Sequence, residues 1–187
     1  MSVMSTATGL PRGRPLTRTD LADMPEDGHR YELIDGTLIV SPAPRTRHQQ
    51  VVVELVTLLR PLVPEELQLL VAPYDVVLAD DTVIQPDLLI ARREDLTESD
   101  LPAPPVLAIE VLSPSTRGLD LLLKRERLQR AGCAHYWVID PDQPAITAWS
   151  LDAAGRYGDP VRASGAEEFR AESPVPLTVR PEDLLAA

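Results

Sequence analysis

Residues 104–113, PPVLAIEVLS, constrain the fold more than any other stretch of the chain. The run is almost continuously apolar, the pattern of a strand covered on both faces. A chain that carries it needs a layer on each side of a sheet. The 187 residues supply enough chain for one domain with such a core. Glu110 interrupts the run. A buried carboxylate is costly unless it is paired or bound to a metal. The residue that breaks the apolar pattern therefore also marks a candidate site.

The flanking sequence supplies the other layers. RGLDLLLKRERLQR predicts a helix over 118–131, with Gly132 as a C-terminal stop. HYWVIDP predicts the next strand, ended by Pro141. Upstream, LQLLVAPYDVVLADDTVIQPDLLIA predicts strands over 68–79 and 86–91, with the turn at Ala79-Asp80-Asp81. Pro86 suits a strand start, where no backbone donor is required. RTRHQQVVVELVTLLRPLV places apolar residues at 51, 52, 55, 58, 59 and 62, a helical spacing. That helix should run from about Arg47 to Arg60, with Thr46 as N-cap and His48 in its first turn. In HRYELIDGTLIVSP, Asp35-Gly36 between alternating apolar residues is a two-residue hairpin signature. A short helix capped by Thr17 or Thr19 should end before Pro25. AITAWSLD, RYGDPVRAS and VPLTVRPEDLL predict antiparallel strands closing one side of the sheet.

The domain organisation expected is a flexible N-terminus over 1–16 and a single domain over 17–187. The fold class is α/β or α+β. A mixed central sheet is built on a core order α-β-β-β-α-β and preceded by a hairpin.

Bulk composition excludes several classes of protein. The net charge of −11 argues against a general nucleic-acid coat protein, which carries a basic field. It leaves room for a nuclease, whose metal ions and local basic residues offset acidic surroundings. A single cysteine, Cys133, excludes an internal disulfide and Cys-based zinc sites. No apolar run reaches the roughly 20 residues of a membrane span. The N-terminal stretch has no apolar core of a secretory signal. A cytoplasmic location is the expectation.

Asp87 and Glu110 are the first candidates for chemistry. They are separated by 110 − 87 = 23 positions, enough for strand, connection and strand. Neighbouring strands lie about 4.8 Å apart, so the two carboxylates can meet on one divalent cation. Mg²⁺ takes one or two carboxylates plus waters and phosphate oxygens, and it activates water in phosphoryl chemistry. Lys124 is the only lysine among 18 Lys and Arg residues. A lysine is a compact point charge where arginine is a planar fork, so a lone survivor in an arginine-rich chain points to a role arginine cannot fill. It could steady charge on phosphate. Its alternative is an i,i+4 surface pair with Asp120. His48 is a candidate for contact with phosphate or water, against a purely structural role. Glu32 is either a further acid of the site or an arginine partner. Ser113 and Ser115 follow the Glu110 strand and could donate to phosphate, or simply form a turn. No GxSxG elbow, Walker A loop or GxGxxG fingerprint occurs.

RYELIDGTLIVSP, RHQQVVVEL, DTVIQPDLLI and AIEVLSPSTRGLDLLLKRERLQRAGCAHYWVIDP together resemble the restriction endonuclease-like family long catalogued as a domain of unknown function. That family belongs to the PD-(D/E)XK nuclease superfamily. The resemblance spans about residues 28–185. It implies the restriction-endonuclease-like fold, with Pro86-Asp87 as the PD element and Glu110 at the D/E position. The sequence departs from the pattern at the following lysine position, which is Leu112. Lys124 looks like a migrated lysine carried on the next helix. His48 and Glu32 fall in stretches that match the family.

The resemblance thus implies a Mg²⁺- or Mn²⁺-dependent endonuclease acting on nucleic acid, with DNA the expected substrate. Asp87 and Glu110 would bind the metal. Lys124, His48 and Glu32 would complete the site, and Arg45, Arg47, Arg117 and Arg125 would hold the backbone of the substrate. A homodimer or higher homo-oligomer is expected, with the C-terminal strands as interface. The alternative is a non-catalytic nucleic-acid-binding or assembly module that keeps the nuclease fold.

Overall fold

The structure is a computed structural model that describes residue 11 and residues 13–113 and 117–185. A short helix α1 (Arg18–Ala22) follows N-cap Thr17 and leads to the hairpin β1 (Arg30–Ile34) and β2 (Thr37–Ser41). Asp35 and Gly36 both adopt positive φ, 51° and 70°. This is what a two-residue turn matching the strand twist demands, and it is why Asn/Asp-Gly is favoured there. The helix α2 (Thr46–Leu59) comes next and continues into a 3₁₀ turn, Arg60–Leu62. Its N-cap is Arg45 rather than the expected Thr46. Arg45 keeps extended backbone, so Thr46 already lies in the first turn.

Where one strand was expected over 68–79, two occur: β3 (Leu67–Val71) and β4 (Asp75–Ala79). Pro73 separates them, and a residue with no N–H cannot extend a ladder. β5 (Thr82–Ile84) pairs back on β4, and the chain then passes through Gln85-Pro86-Asp87 into β6 (Leu88–Arg92). β7 (Asp100–Leu101) and β8 (Leu107–Val111) follow.

The expected 118–131 helix is in two parts. Leu119–Lys124 is a π-helix, and α3 (Arg125–Ala131) continues it to Gly132, whose φ of 87° ends it. Nothing in RGLDLLLKRER distinguishes a π turn from an α turn. The chain closes with β9 (His135–Asp140), β10 (Ala145–Ser150), β11 (Val161–Ser164), β12 (Phe169–Ala171), β13 (Leu177–Val179) and a 3₁₀ turn, Pro181–Leu185.

A six-stranded sheet in the order β11-β10-β9-β8-β6-β3 forms the centre. β8 and β9 are parallel and the remaining pairs antiparallel, so the sheet is mixed. Read through α2, β3, β6, β8, α3 and β9, the expected α-β-β-β-α-β order holds. The hairpin is more than an appendage. It joins β5, β4 and β7 in a second sheet, ordered β2-β1-β5-β4-β7. β12 and β13 form a separate pair.

Strand β8 shows why both of its faces are apolar. Leu107, Ile109 and Val111 pack with Val51, Leu55 and Leu59 of α2. Ala108 and Leu112 point the other way, toward Leu128 of α3 and Ile34, Val76 and Ile84 of the second sheet. Alternation assigns Glu110 to that second face. Burying each such aliphatic side chain contributes roughly 1.5–3 kcal/mol, so α2 is held mainly by its three fully buried residues.

Of the N-terminal segment expected to be flexible, residues 1–10 and 12 lie outside the described residues. Leu16, at its end, is buried, and its N–H donates to Gly36 O at 2.9 Å. Pro15 lies so close to Gly36 that a Cβ there would meet it at 2.4 Å. Among the described residues no helix is long and apolar enough to cross a membrane.

Candidate functional site

Asp87 lies one residue before β6. The β6–β8 ladder pairs Leu88 with Ile109, so Asp87 and Glu110 stand opposite one another one step beyond it. Opposed residues of an antiparallel pair project to the same face. The second sheet brings Glu32 from β1, and the π-helix brings Asp120 and Lys124. The result is a polar cluster in two layers, at the seam of the two sheets.

The inner layer is sealed. Lys124 Nζ lies 2.9 Å from Glu110 Oε1, 2.9 Å from Glu32 Oε1 and 3.5 Å from Asp120 Oδ1. Lys124 and Glu32 are 0% exposed, and Glu110 and Asp120 are 1% exposed. Lys124 therefore points inward. The i,i+4 contact with Asp120 exists, as part of the buried cluster and not as a surface pair. Glu32 Oε1 also accepts the Gln85 N–H at 2.7 Å. Its Oε2 is buried without a hydrogen-bond partner.

The outer layer centres on Asp87. Oδ1 accepts from Arg30 Nη1 at 2.8 Å. Oδ2 meets His48 Nε2 at 3.0 Å and accepts the Val111 N–H at 2.8 Å. Arg30 also donates to Gln85 O at 3.2 Å, and its Nε lies 3.8 Å from Glu32 Oε2. It thereby connects the two layers. A cavity of about 780 Å³ opens onto Arg30, Arg45, His48, Asp75, Asp87 and Ser113, among others. Glu32, Glu110 and Lys124 do not line it.

The two layers differ in electrostatics. Burial alone would raise the Asp87 carboxyl, but the His48 bond, the Arg30 charge and the Val111 N–H outweigh it. They hold Asp87 below the ordinary carboxylate range. Burial raises Glu110 well above that range. Lys124 opposes the rise, and the nearby Asp120, Asp87 and Glu32 charges add to it. Burial would lower Lys124, yet Glu110, Glu32 and Asp120 together raise it above its ordinary value, so it stays an ammonium.

Four buried carboxylates, from Glu32, Asp87, Glu110 and Asp120, thus share two cations, Lys124 and Arg30. An all-oxygen donor set with that excess of negative charge fits a hard divalent cation. Glu32 Oε2 fits it too, as an anionic oxygen that accepts no hydrogen bond. Among the described residues no three His, Cys, Asp or Glu side chains form a ready-made metal cage. Mg²⁺ needs no such cage, because waters and substrate oxygens complete its shell.

All five side chains expected at the site come together: Asp87, Glu110, Lys124, His48 and Glu32. Ser113 borders the cavity, and Ser115 lies outside the described residues. The arginines expected to hold substrate are mostly engaged elsewhere. Arg47 lies 3.6 Å from Asp142, Arg117 lies 2.6 Å from Asp140, and Arg125 sits 5.3 Å from the centre of the Trp149 ring. Arg45 remains at the cavity wall. Sequence reasoning missed Arg30 and Gln85. For Arg30 a signal existed: it stands two residues before Glu32 in a strand, hence on the same face. Nothing local marked the Gln85 N–H.

The family model Uma2, described as "Putative restriction endonuclease", matches residues 18–182. Among solved structures, the chain is similar to a crystal structure of "a putative nuclease belonging to DUF820" from Anabaena variabilis ATCC 29413. The identity is 19% and the TM-score 0.73, over 92% of this chain and 98% of that one. The likeness shows a shared fold. No curated protein matches the chain.

Proposed function

The chain belongs to the Uma2 family of restriction endonuclease-like proteins, and on that premise we propose that it is a metal-dependent nuclease hydrolysing phosphodiester bonds in DNA. One observation carries this: Lys124, the lone lysine, turns inward to Glu110 at 2.9 Å although the usual strand position holds Leu112. An amine delivered from the helix thus stands beside the acid that the superfamily pattern requires.

Asp87 and Glu110 would hold Mg²⁺ or Mn²⁺, with Glu32 adding negative charge behind them. The bound cation supplies water activation and neutralises phosphate charge. The residues of the chain do the rest. His48 and Arg30 fix both oxygens of Asp87, so that the carboxylate presents one orientation. Lys124 keeps its proton against burial and offers a fixed positive charge next to Glu110. The Gln85 N–H anchors Glu32, which in turn anchors Lys124.

Cleavage of DNA in Mg²⁺ or Mn²⁺, compared between wild type and the Asp87→Ala, Glu110→Ala and Lys124→Ala variants, tests the proposal. Activity surviving all three substitutions would sink it.

A second reading has its own support. Glu110 and Lys124 are closed off from the cavity, as in a structural ion cluster of a non-catalytic module. Calorimetry separates the two. A structural cluster binds no divalent ion at millimolar concentration, whereas a nuclease site does, and Glu110→Ala abolishes that binding.

A further inference from the structure

We infer that the cleft beside Asp87 admits a single unpaired nucleotide, so that the protein takes single-stranded DNA or an extruded base and not an intact duplex. For cleavage this rests on the nuclease reading; for binding it does not.

Three features of the cleft point this way. Its volume of about 780 Å³ lies within the roughly 300–1,000 Å³ of sites that enclose one small ligand. Its walls are largely apolar, formed by Pro42, Pro44, Val52, Val71 and Pro73. Two rings, His29 and Tyr31, also line it, with centroids 6.4 Å apart. Apolar and aromatic walls receive the face of a base, whatever its sequence.

Another part of the lining suits one phosphate. Arg45, His48 and Gln49 line the cleft, so the first turn of α2 faces it. No side chain caps that turn, and helix N-termini attract anions. Arg45 forms no ion pair among the described residues. His48 commits its Nε2 to Asp87 at 3.0 Å and its Nδ1 is buried, so Arg45 is the group at this turn that is free to meet a phosphate.

The overall charge and the pairing of four arginines do not favour a duplex-binding face. Duplex-binding faces are broad and strongly positive. Here the net charge is −11. Arg18, Arg47, Arg117 and Arg127 are each paired with an aspartate: Asp100, Asp142, Asp140 and Asp35 respectively. A base within a duplex reaches such a cleft only after unpairing and unstacking, which costs least at mismatches and ends.

Fluorescence anisotropy in EDTA, where no turnover occurs, tests the inference with two probes: a labelled single strand, and the same sequence closed into a dumbbell duplex. The single strand should bind at least about tenfold more tightly. Ala43→Trp, on an exposed loop lining the cleft, and Arg45→Ala should each weaken single-strand binding about tenfold, with the thermal midpoint unchanged. Equal or tighter binding of the dumbbell overturns the inference, as does failure to bind either probe. Single-strand binding indifferent to both substitutions also overturns it. If the binding pattern holds but Mg²⁺ supports no cleavage, the nuclease reading falls and the inference stands. If cleavage occurs, the single strand should be cut at least about tenfold faster than the dumbbell, and equal rates overturn the inference.

Discussion

The two layers of the site are both built around buried carboxylates and behave differently. Around Asp87, one carboxylate meets an arginine, a histidine and a backbone N–H at the wall of a cavity. Around Lys124, three carboxylates meet one ammonium with no access to that cavity. In the outer layer both oxygens of Asp87 are satisfied, and the acid is held ionised. In the inner layer burial, with the neighbouring negative charges adding to it, raises Glu110 well above the ordinary range. The outer layer is thus organised by donors, and the inner layer stands to gain from a cation.

Removing Lys124 breaks the contrast most strongly. Lys124→Met leaves Glu32, Glu110 and Asp120 buried without their shared ammonium. Breaking a buried ion pair from one side costs about 3–5 kcal/mol. Denaturant unfolding should therefore show the largest loss of any single site substitution. Lys124→Arg should not restore it, because a planar fork cannot occupy a space shaped for a point charge. A loss below about 1 kcal/mol would show that the ammonium is not what holds the inner layer.

The anomalies among the site residues were legible in the sequence, although whether Lys124 faced Glu110 or solvent was not, and the reason is chemical. A lone lysine, an acid within an apolar strand and Pro86-Asp87 are each anomalies of residue type at one position. The partners were less legible because they depend on pairing across long separations. Leu33 pairs with Val83, and this register brings Arg30 and Glu32 of β1 to Asp87 and Gln85. No local pattern in RYELI specifies it. The second sheet was hidden for the same reason: Pro73 splits an apparent single strand and sends β4 into a different layer. The π-helix was invisible because propensity cannot distinguish i+5 from i+4 bonding.

The outer layer should yield less on disruption. His48→Ala removes one bond to an ionised carboxylate, worth about 1.5–3 kcal/mol. The pH dependence has a fixed sign. Asp87 is held below its ordinary value, so its contribution is present above the unfolded pKa, about 3.9. It is lost as pH falls through the folded value. Without His48 the folded value rises toward the ordinary one. Acid unfolding of His48→Ala, followed by circular dichroism, should begin at higher pH than in wild type. An unchanged acid limb would mean that Arg30 and Val111 hold Asp87 without help.

Added Mg²⁺ should separate the layers by pH. Glu110 is raised in the folded state, so its ionisation destabilises that state as pH climbs from about 4.3 through the raised value. A cation takes the place of the proton, and binding releases it. The gain in thermal stability from millimolar Mg²⁺ should therefore grow with pH, reaching roughly 1.4 kcal/mol at ten times Kd. A gain that is flat or falls with pH would place the ion outside the inner layer.

The smallest expected effect is the most discriminating. Glu32→Gln keeps an oxygen to accept the Gln85 N–H, and it replaces an Oε2 that accepts no hydrogen bond and has only the 3.8 Å contact with Arg30 Nε. It weakens the attraction for Lys124 but also relieves repulsion from Glu110 and Asp120. These changes oppose one another, so stability should move by no more than about 1 kcal/mol in either direction. Calorimetric affinity for Mg²⁺ should nevertheless fall, because a negative charge behind the acids is gone. If Glu32→Gln instead costs as much as Lys124→Met, the inner layer is a balanced structural ion cluster in which every charge is needed. An excess of negative charge awaiting a cation predicts the opposite: the acid is cheap to neutralise and the ammonium is not.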